Sequence, residues 1–145
     1  MLEMSVDEVR ARRQTHRSDG ALEHRIVQRT IAYVEAHYAE QISLRDVARE
    51  LGYSPAHLTH TFSRLTGTAV NSWIIKRRII AAQQLLGEAD VSVATACEAV
   101  GFNDLCYFTR QFVRNTGTTP GRYRSAARDL AGAPDLNARS AAGLT

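Results

Sequence analysis

A chain of 145 residues with 44% apolar types can fill one core or two small ones, and it is too short for a large multidomain assembly. Its formal charge of +3 and pI near 9.2 permit a polyanionic partner without establishing one. No apolar run reaches membrane length, no leader with an apolar core is seen, and Cys97 and Cys106 form neither a disulfide framework nor a metal-ligand cluster, so a cytoplasmic protein is expected.

Residues 1–20 mix small, acidic and basic types without a steady apolar stripe and are expected to be mobile or only locally helical. From Ala21 to Tyr38, Leu22, Ile26, Val27, Ile31 and Val34 recur on one face, which predicts a first helix with Arg25, Arg29 and Glu35 on its polar side. Ser43 then offers a hydroxyl cap to a helix that holds Asp46 in its first turn and Val47, Ala48 and Leu51 inward. Gly52 stops that helix, because only glycine enters the left-handed region without strain. Tyr53 is expected to anchor the bend. Ser54-Pro55 restarts the chain as cap and first helical position, and the next helix runs to about Leu65 with Leu58, Phe62 and Leu65 inward. Two short helices joined by so tight a turn are the helix-turn-helix pattern. The outer side of the second helix carries Ala56, His57, Thr59, His60, Ser63 and Arg64, rich in hydrogen-bonding groups and free of acids, as a surface for phosphates or base edges should be.

A central helix is predicted from Ala69 to Leu86, with Val70, Trp73, Ile74, Ile80, Ala81 and Leu85 at spacings of three and four and a basic knot of Lys76, Arg77 and Arg78. After a turn at Gly87 and Asp90, the stop-and-restart device returns. Ser92 caps a short helix with Val93, Ala96, Cys97 and Val100 inward, Gly101 breaks it, and Asn103 is read as the cap of the next. That helix offers Phe108 and Phe112 to the core and leaves Asp104, Leu105, Cys106, Tyr107, Arg110 and Arg114 outside. Pro120 opens a last helix in which Tyr123 is expected inward and Arg122 and Arg124 solvated; after Arg128 no apolar face persists.

The repetition is internal and visible in one sequence. Gly52-Tyr53 matches Gly101-Phe102 at an offset of 49, while Leu58, Thr59, Phe62, Arg64 and Gly67 match Phe108, Thr109, Phe112, Arg114 and Gly117 at an offset of 50, which places one extra residue early in the last helix of the second copy. The expected organisation is a flexible segment 1–20, a first helix-turn-helix subdomain 21–67, a bridging helix 68–87, a second subdomain 88–128 and a flexible tail 129–145. Between Ala21 and Arg128 there are 13 Lys and Arg against 9 Asp and Glu, and the excess gathers near the second copy.

The stretches ISLRDVARELGYSPAHLTHTFSRLTG and VSVATACEAVGFNDLCYFTRQFVRNTGTTPGRYR resemble the DNA-binding domain of the AraC/XylS-type transcription regulators, over about Leu22 to Arg124. The resemblance implies an all-α fold of about seven helices, as two helix-turn-helix subdomains joined by one long central helix, the arrangement that the local reading also reaches. It implies that both second helices read successive major grooves of double-stranded promoter DNA. Carried over, the base-reading residues are Ala56, His57, Thr59 and His60 in the first copy, with Arg64 beside them, and Asp104, Leu105, Cys106, Tyr107 and Arg110 in the second. Ser54, Ser63, Arg64, Lys76, Arg77, Asn103, Arg114, Arg122 and Arg124 are the phosphate set. Ala56 is smaller than the residue often found there in short family members, and Leu105 and Cys106 stand where polar readers are common. RNA polymerase is the further partner implied. Many members carry an effector domain before this unit, for which residues 1–20 are too few. A bridging helix of 18 residues measures about 27 Å at roughly 1.5 Å per residue, comparable with one turn of DNA.

The sequence leaves two rival readings. His57 and His60, three apart, have the look of half a metal site, but no third ligand or orienting carboxylate stands at helical spacing, so no catalytic residue, metal or cofactor is expected. A helical protein-interaction module would use Leu105, Cys106 and Tyr107 as a contact patch. Cys97 reads as core; Cys106 reads as packing, a contact or a redox-sensitive thiol.

Overall fold

A computed structural model describes residues 6–88 and 90–132, with side chains from Gly20 to Leu130 apart from residue 89. Among the described residues there are seven helices and no strand: α1 Val6–His37, α2 Leu44–Leu51, α3 Pro55–Thr66, α4 Val70–Glu88, α5 Val93–Ala99, α6 Leu105–Thr116 and α7 Pro120–Gly132. The chain divides into two units at Ile74 and Ile75. Helix α1 starts at Val6, well before the apolar stripe does, and α7 continues to Gly132, beyond the expected end at Arg128. The remainder of the expected tail, 133–145, lies outside the described residues.

In the first unit, α1, α2, α3 and the start of α4 enclose Ile26, Val27, Val34, Val47, Ala48, Leu58, Phe62, Val70 and Ile74. Two expected core positions face water instead: Leu22 is 56% and Leu65 43% exposed. Thr30 and Thr61, by contrast, are fully buried. A buried threonine needs a partner, and the Thr30 hydroxyl donates to the Ile26 carbonyl at 2.7 Å within its own helix.

Ser43 and Asp46 form a reciprocal cap on α2, the Ser43 amide donating to Asp46 Oδ2 at 2.9 Å. Gly52 ends α2 at φ 78°, and the Tyr53 amide returns to the Ala48 carbonyl at 2.9 Å. In the second unit Phe102 returns its amide to the Cys97 carbonyl at 3.1 Å after Gly101 at φ 102°.

Helix α4 serves both units. Its first turns bury Val70 and Ile74 in the first core and set Trp73 edge-on against Phe62 at 5.7 Å. Further along, Ile79, Ala82 and Leu86 are buried, while Ile80 is half exposed and Leu85 only partly covered. Of the apolar positions expected on this helix, Val70, Ile74 and Ala81 are buried, and the expectation that Ile80 and Leu85 join them is corrected. At about 100° per residue, Ile79, Ala82 and Leu86 form a second stripe, separate from that of Val70 and Ile74, because one helix here supplies two cores.

The second unit repeats the pattern of the first in detail. Tyr123 in α7 meets Phe112 edge-on at 5.6 Å, as Trp73 meets Phe62. Thr116 Oγ1 donates to the Phe112 carbonyl at 2.7 Å and accepts the Thr118 amide at 3.3 Å, as Thr66 does with Phe62 and Thr68. The duplication thus extends through α7, which corresponds to the first turns of α4.

Candidate nucleic-acid interface

Helices α3 and α6 start from different chemistry at the same register. Ser54 Oγ accepts the His57 amide at 3.2 Å, and Asp104 Oδ1 accepts the Tyr107 amide at 2.9 Å. Asp104, in extended conformation, is therefore the cap of α6, not Asn103. The extra residue of the second copy lies in the turn, at Asn103, and not inside the helix. From the cap onward the two helices align at an offset of 50, so that Ala56 corresponds to Cys106, His57 to Tyr107, Thr59 to Thr109 and His60 to Arg110. Asp104 corresponds to Ser54, which puts an expected base reader and an expected phosphate contact at one structural position.

Ala56, His57, Thr59 and His60 are all exposed on α3, and Leu105, Cys106, Tyr107 and Arg110 are all exposed on α6. The structure keeps each set together on its own helix. Thr109, which the offset assigns to the place of Thr59, was not singled out by composition; it is partly covered and its hydroxyl donates to the Leu105 carbonyl at 2.8 Å. Val113, 40% exposed where the first copy has Ser63, was likewise missed. The internal repeat is the signal that finds both.

The basic residues divide into three groups. Lys76, Arg110, Arg114 and Arg122 are exposed. Arg77 and Arg78 are partly buried, and burial pushes the Arg78 guanidinium below the usual arginine range, against the raising effect of Tyr107. Arg64 and Arg124 are engaged within the protein: Arg64 pairs with Glu23 of α1, and Arg124 Nη2 stands 3.7 Å from Asp90 Oδ1. The expectation that Arg124 is solvated is corrected, since its side chain is only 27% exposed and its Nε is buried without a hydrogen-bond partner among the described residues. Arg128 supplies Asp90 with a second cation. Ser63 is partly buried, and Ser54 and Asn103 are exposed.

Cys97 is buried, with Sγ 3.8 Å from the Phe102 carbonyl, and burial raises its thiol pKa. Cys106 is exposed. Among the described residues no group of three or more His, Cys, Asp and Glu is placed to hold a metal ion, and no helix is long and apolar enough to cross a membrane.

Two bihelical turns, each ending in a capped and solvent-facing helix, define the helix-turn-helix class. The helix-turn-helix domain family matches residues 47–126. The transcriptional regulator ExsA of Pseudomonas aeruginosa is 35% identical over 103 residues, 71% of this chain and 37% of that protein. PqrA of Proteus vulgaris, described as a probable transcription factor, is 33% identical over 85 residues, 59% of this chain and 70% of that protein. The DNA-binding domain of AdpA, a global transcriptional factor solved in complex with a target DNA, superposes with a TM-score of 0.68 at 30% identity, over 72% of this chain and 94% of that one. The chain belongs to the AraC/XylS family of helix-turn-helix transcription regulators, a family of regulators and not of enzymes. It spans little more than a third of the length of the first curated relatives that it matches.

Proposed function

We propose that the chain binds double-stranded promoter DNA sequence-specifically and regulates transcription from it, with α3 and α6 reading successive major grooves and RNA polymerase positioned or excluded as a result. The observation that carries this reading is the pair of helices capped at the same register whose outer faces, from Ala56 to His60 and from Leu105 to Arg110, contain no carboxylate beyond the α6 cap, Asp104. Each presents its face to solvent at the same register, as two modules for one kind of ligand would. The likeness to the AdpA domain, which was solved on DNA, supports the same class of partner.

On this reading, His57, Thr59 and His60 supply donors and acceptors for base edges, and Ala56 offers a methyl group for apolar contact. Leu105, Cys106 and Tyr107 supply fewer polar groups, so base readout by the second helix is the weaker one and Arg110 contacts the sugar-phosphate backbone beside it. Ser54, Ser63, Lys76, Arg77, Asn103, Arg114 and Arg122 form the phosphate set, together with Arg64 and Arg124 when DNA displaces their carboxylates.

Affinity for the preferred duplex, found by selection from random sequences, should fall steeply with salt as neutralised phosphates release counterions. Hydroxyl-radical footprinting should give two protected patches on one face, about one helical turn, or roughly 34 to 36 Å, apart. A binding constant that hardly moves with salt would remove the DNA reading, and a single short patch at saturation would remove its two-groove form. A module that acts only through protein contacts would bind no duplex in either experiment.

A further inference from the structure

In the first unit, Arg29 of α1 holds its guanidinium 5.6 Å from the centre of the Tyr53 ring, and its Nη1 donates to the Tyr53 hydroxyl at 2.9 Å. Tyr53 is the residue directly after the left-handed glycine of the turn, and its ring meets the His57 ring edge-on at 6.1 Å. In the second unit, Arg78 of α4 holds its guanidinium 5.5 Å from the centre of the Phe102 ring, and that ring stands 6.0 Å from Tyr107. The spacing is the same in both: 24 residues separate Arg29 from Tyr53, and 24 separate Arg78 from Phe102. Both distances lie inside the ~6 Å range in which a cation is attracted to the face of an aromatic ring.

One arginine lying over one ring is common on protein surfaces. Two at the same register, each over the turn ring that touches the same position of the following helix, form a repeated device. The turn ring differs, tyrosine in one and phenylalanine in the other, so the hydrogen bond of Arg29 to the hydroxyl cannot be what the two units share. What they share is the cation over the ring and the ring against the third residue of the reading helix.

We propose that Arg29 and Arg78 are positioning residues for recognition, each bracing the aromatic ring of its turn and, through that ring, setting the orientation of His57 in α3 and Tyr107 in α6. The proposal rests on the reading of α3 and α6 as the DNA-contacting helices. Its physical content is restriction. A ring held on one face by a guanidinium has less freedom to tilt, and a reading side chain packed on its other edge reaches a base from fewer directions, which sharpens discrimination.

The test uses the full chain with Arg29→Gln, Arg29→Lys, Arg78→Gln and Arg78→Lys. Without DNA, the ring-proton resonances of His57 should move in Arg29→Gln and those of Tyr107 in Arg78→Gln, because the neighbouring ring that shifts them is released. With a panel of single-base duplex variants, Arg29→Gln should flatten base discrimination by about two- to fivefold in the half-site read by α3 and leave the other half-site as it was, with the converse for Arg78→Gln. The lysine variants keep a cation over each ring and should restore both readouts. The proposal is overturned if the His57 and Tyr107 resonances stay in place in the glutamine variants. It is equally overturned if affinity falls uniformly across the panel, which is the mark of a phosphate contact, or if lysine fails to rescue. A wild-type chain that does not distinguish the duplexes would instead defeat the DNA reading, and the resonances would still decide whether the rings are braced.

Discussion

Thr66 Oγ1 donates to the Phe62 carbonyl at 2.7 Å and Thr116 Oγ1 to the Phe112 carbonyl at 2.7 Å, yet six residues before each threonine the exposed position holds His60 in one unit and Arg110 in the other. The same contrast recurs along α3 and α6. Phe62 and Phe112 are both fully buried, and each meets an aromatic ring of the next helix. By contrast, Ala56 corresponds to Cys106 and His57 to Tyr107 in the repeat. Positions that close the core or a helix end tolerate little, since a lost contact there exposes apolar surface or strands a backbone group. Exposed positions carry no such cost, and there the two copies have diverged. Two scaffolds of one kind thus present two different surfaces.

The largest effects are expected in the shared scaffold. Phe62→Ala and Phe112→Ala should each cost about 3–5 kcal/mol, the range for emptying a buried aromatic site. Amide exchange should locate the damage. Protection is expected to fall in the unit that bears the substitution, and an equal fall in both would mean that the two cores open as one.

Next come the reading faces. His60→Ala should relax base preference in its own half-site, with a penalty of about 1–3 kcal/mol for the favoured base. Arg110→Ala should lower affinity across all duplexes and reduce the salt slope by about one counterion. Binding of both variants to single-base duplex panels at several salt concentrations checks this. The reverse pattern would exchange the roles of the two helices.

The caps provide a third contrast. Ser43→Ala and Ser92→Ala should each destabilise by about 0.5–2 kcal/mol in urea titrations. Only the first cap contains a carboxylate. The Ser43 hydroxyl and then the Ser43 amide bond to Asp46 and hold its carboxyl below the usual range, whereas Ser92 bonds to Thr95 at 2.8 Å. A carboxyl depressed in the folded state adds stability above its unfolded pKa of about 3.9, and this is lost as pH falls through the folded value. Protection of α2 amides should therefore weaken in acid through this link. The α5 amides lack it, and Asp46→Asn should remove the difference between the two helices.

The smallest effect concerns the arginine near the end of α3 and of α6. Arg64 is paired with Glu23, while the exposed Arg114 occupies the matching place in α6. Glu23→Gln should cost only about 0.2–1 kcal/mol of stability, as expected for a solvent-accessible ion pair. It should also strengthen duplex binding modestly at low salt by releasing Arg64 to phosphate. Unchanged affinity would indicate that Arg64 does not reach the backbone even when freed.

Much of this was legible in the chain itself, since caps, left-handed glycines and short-range apolar spacing are local. Ser43, Ser54 and Ser92 accept the amides that their positions predict, and Gly52 ends its helix at φ 78°. The order of helices and the exposed sets on α3 and α6 follow from the same local rules, and the offset of the repeat ties the two sets together. Three matters were decided only by tertiary packing. Leu22, Leu65 and Ile80 keep helical spacing with core residues yet are half exposed, because periodicity names a face while the neighbouring helices determine how wide a strip of it is covered. The cap of α6 fell to Asp104 and not Asn103, because either side chain is suited to capping and the length of the turn selects between them. Glu23 and Arg64 meet across 41 positions of sequence, as do Asp90 and Arg128 across 38, and no local pattern announces such pairs. Which arginines are spoken for within the protein, and which stand exposed on its surface, is a property of how distant helices are brought together.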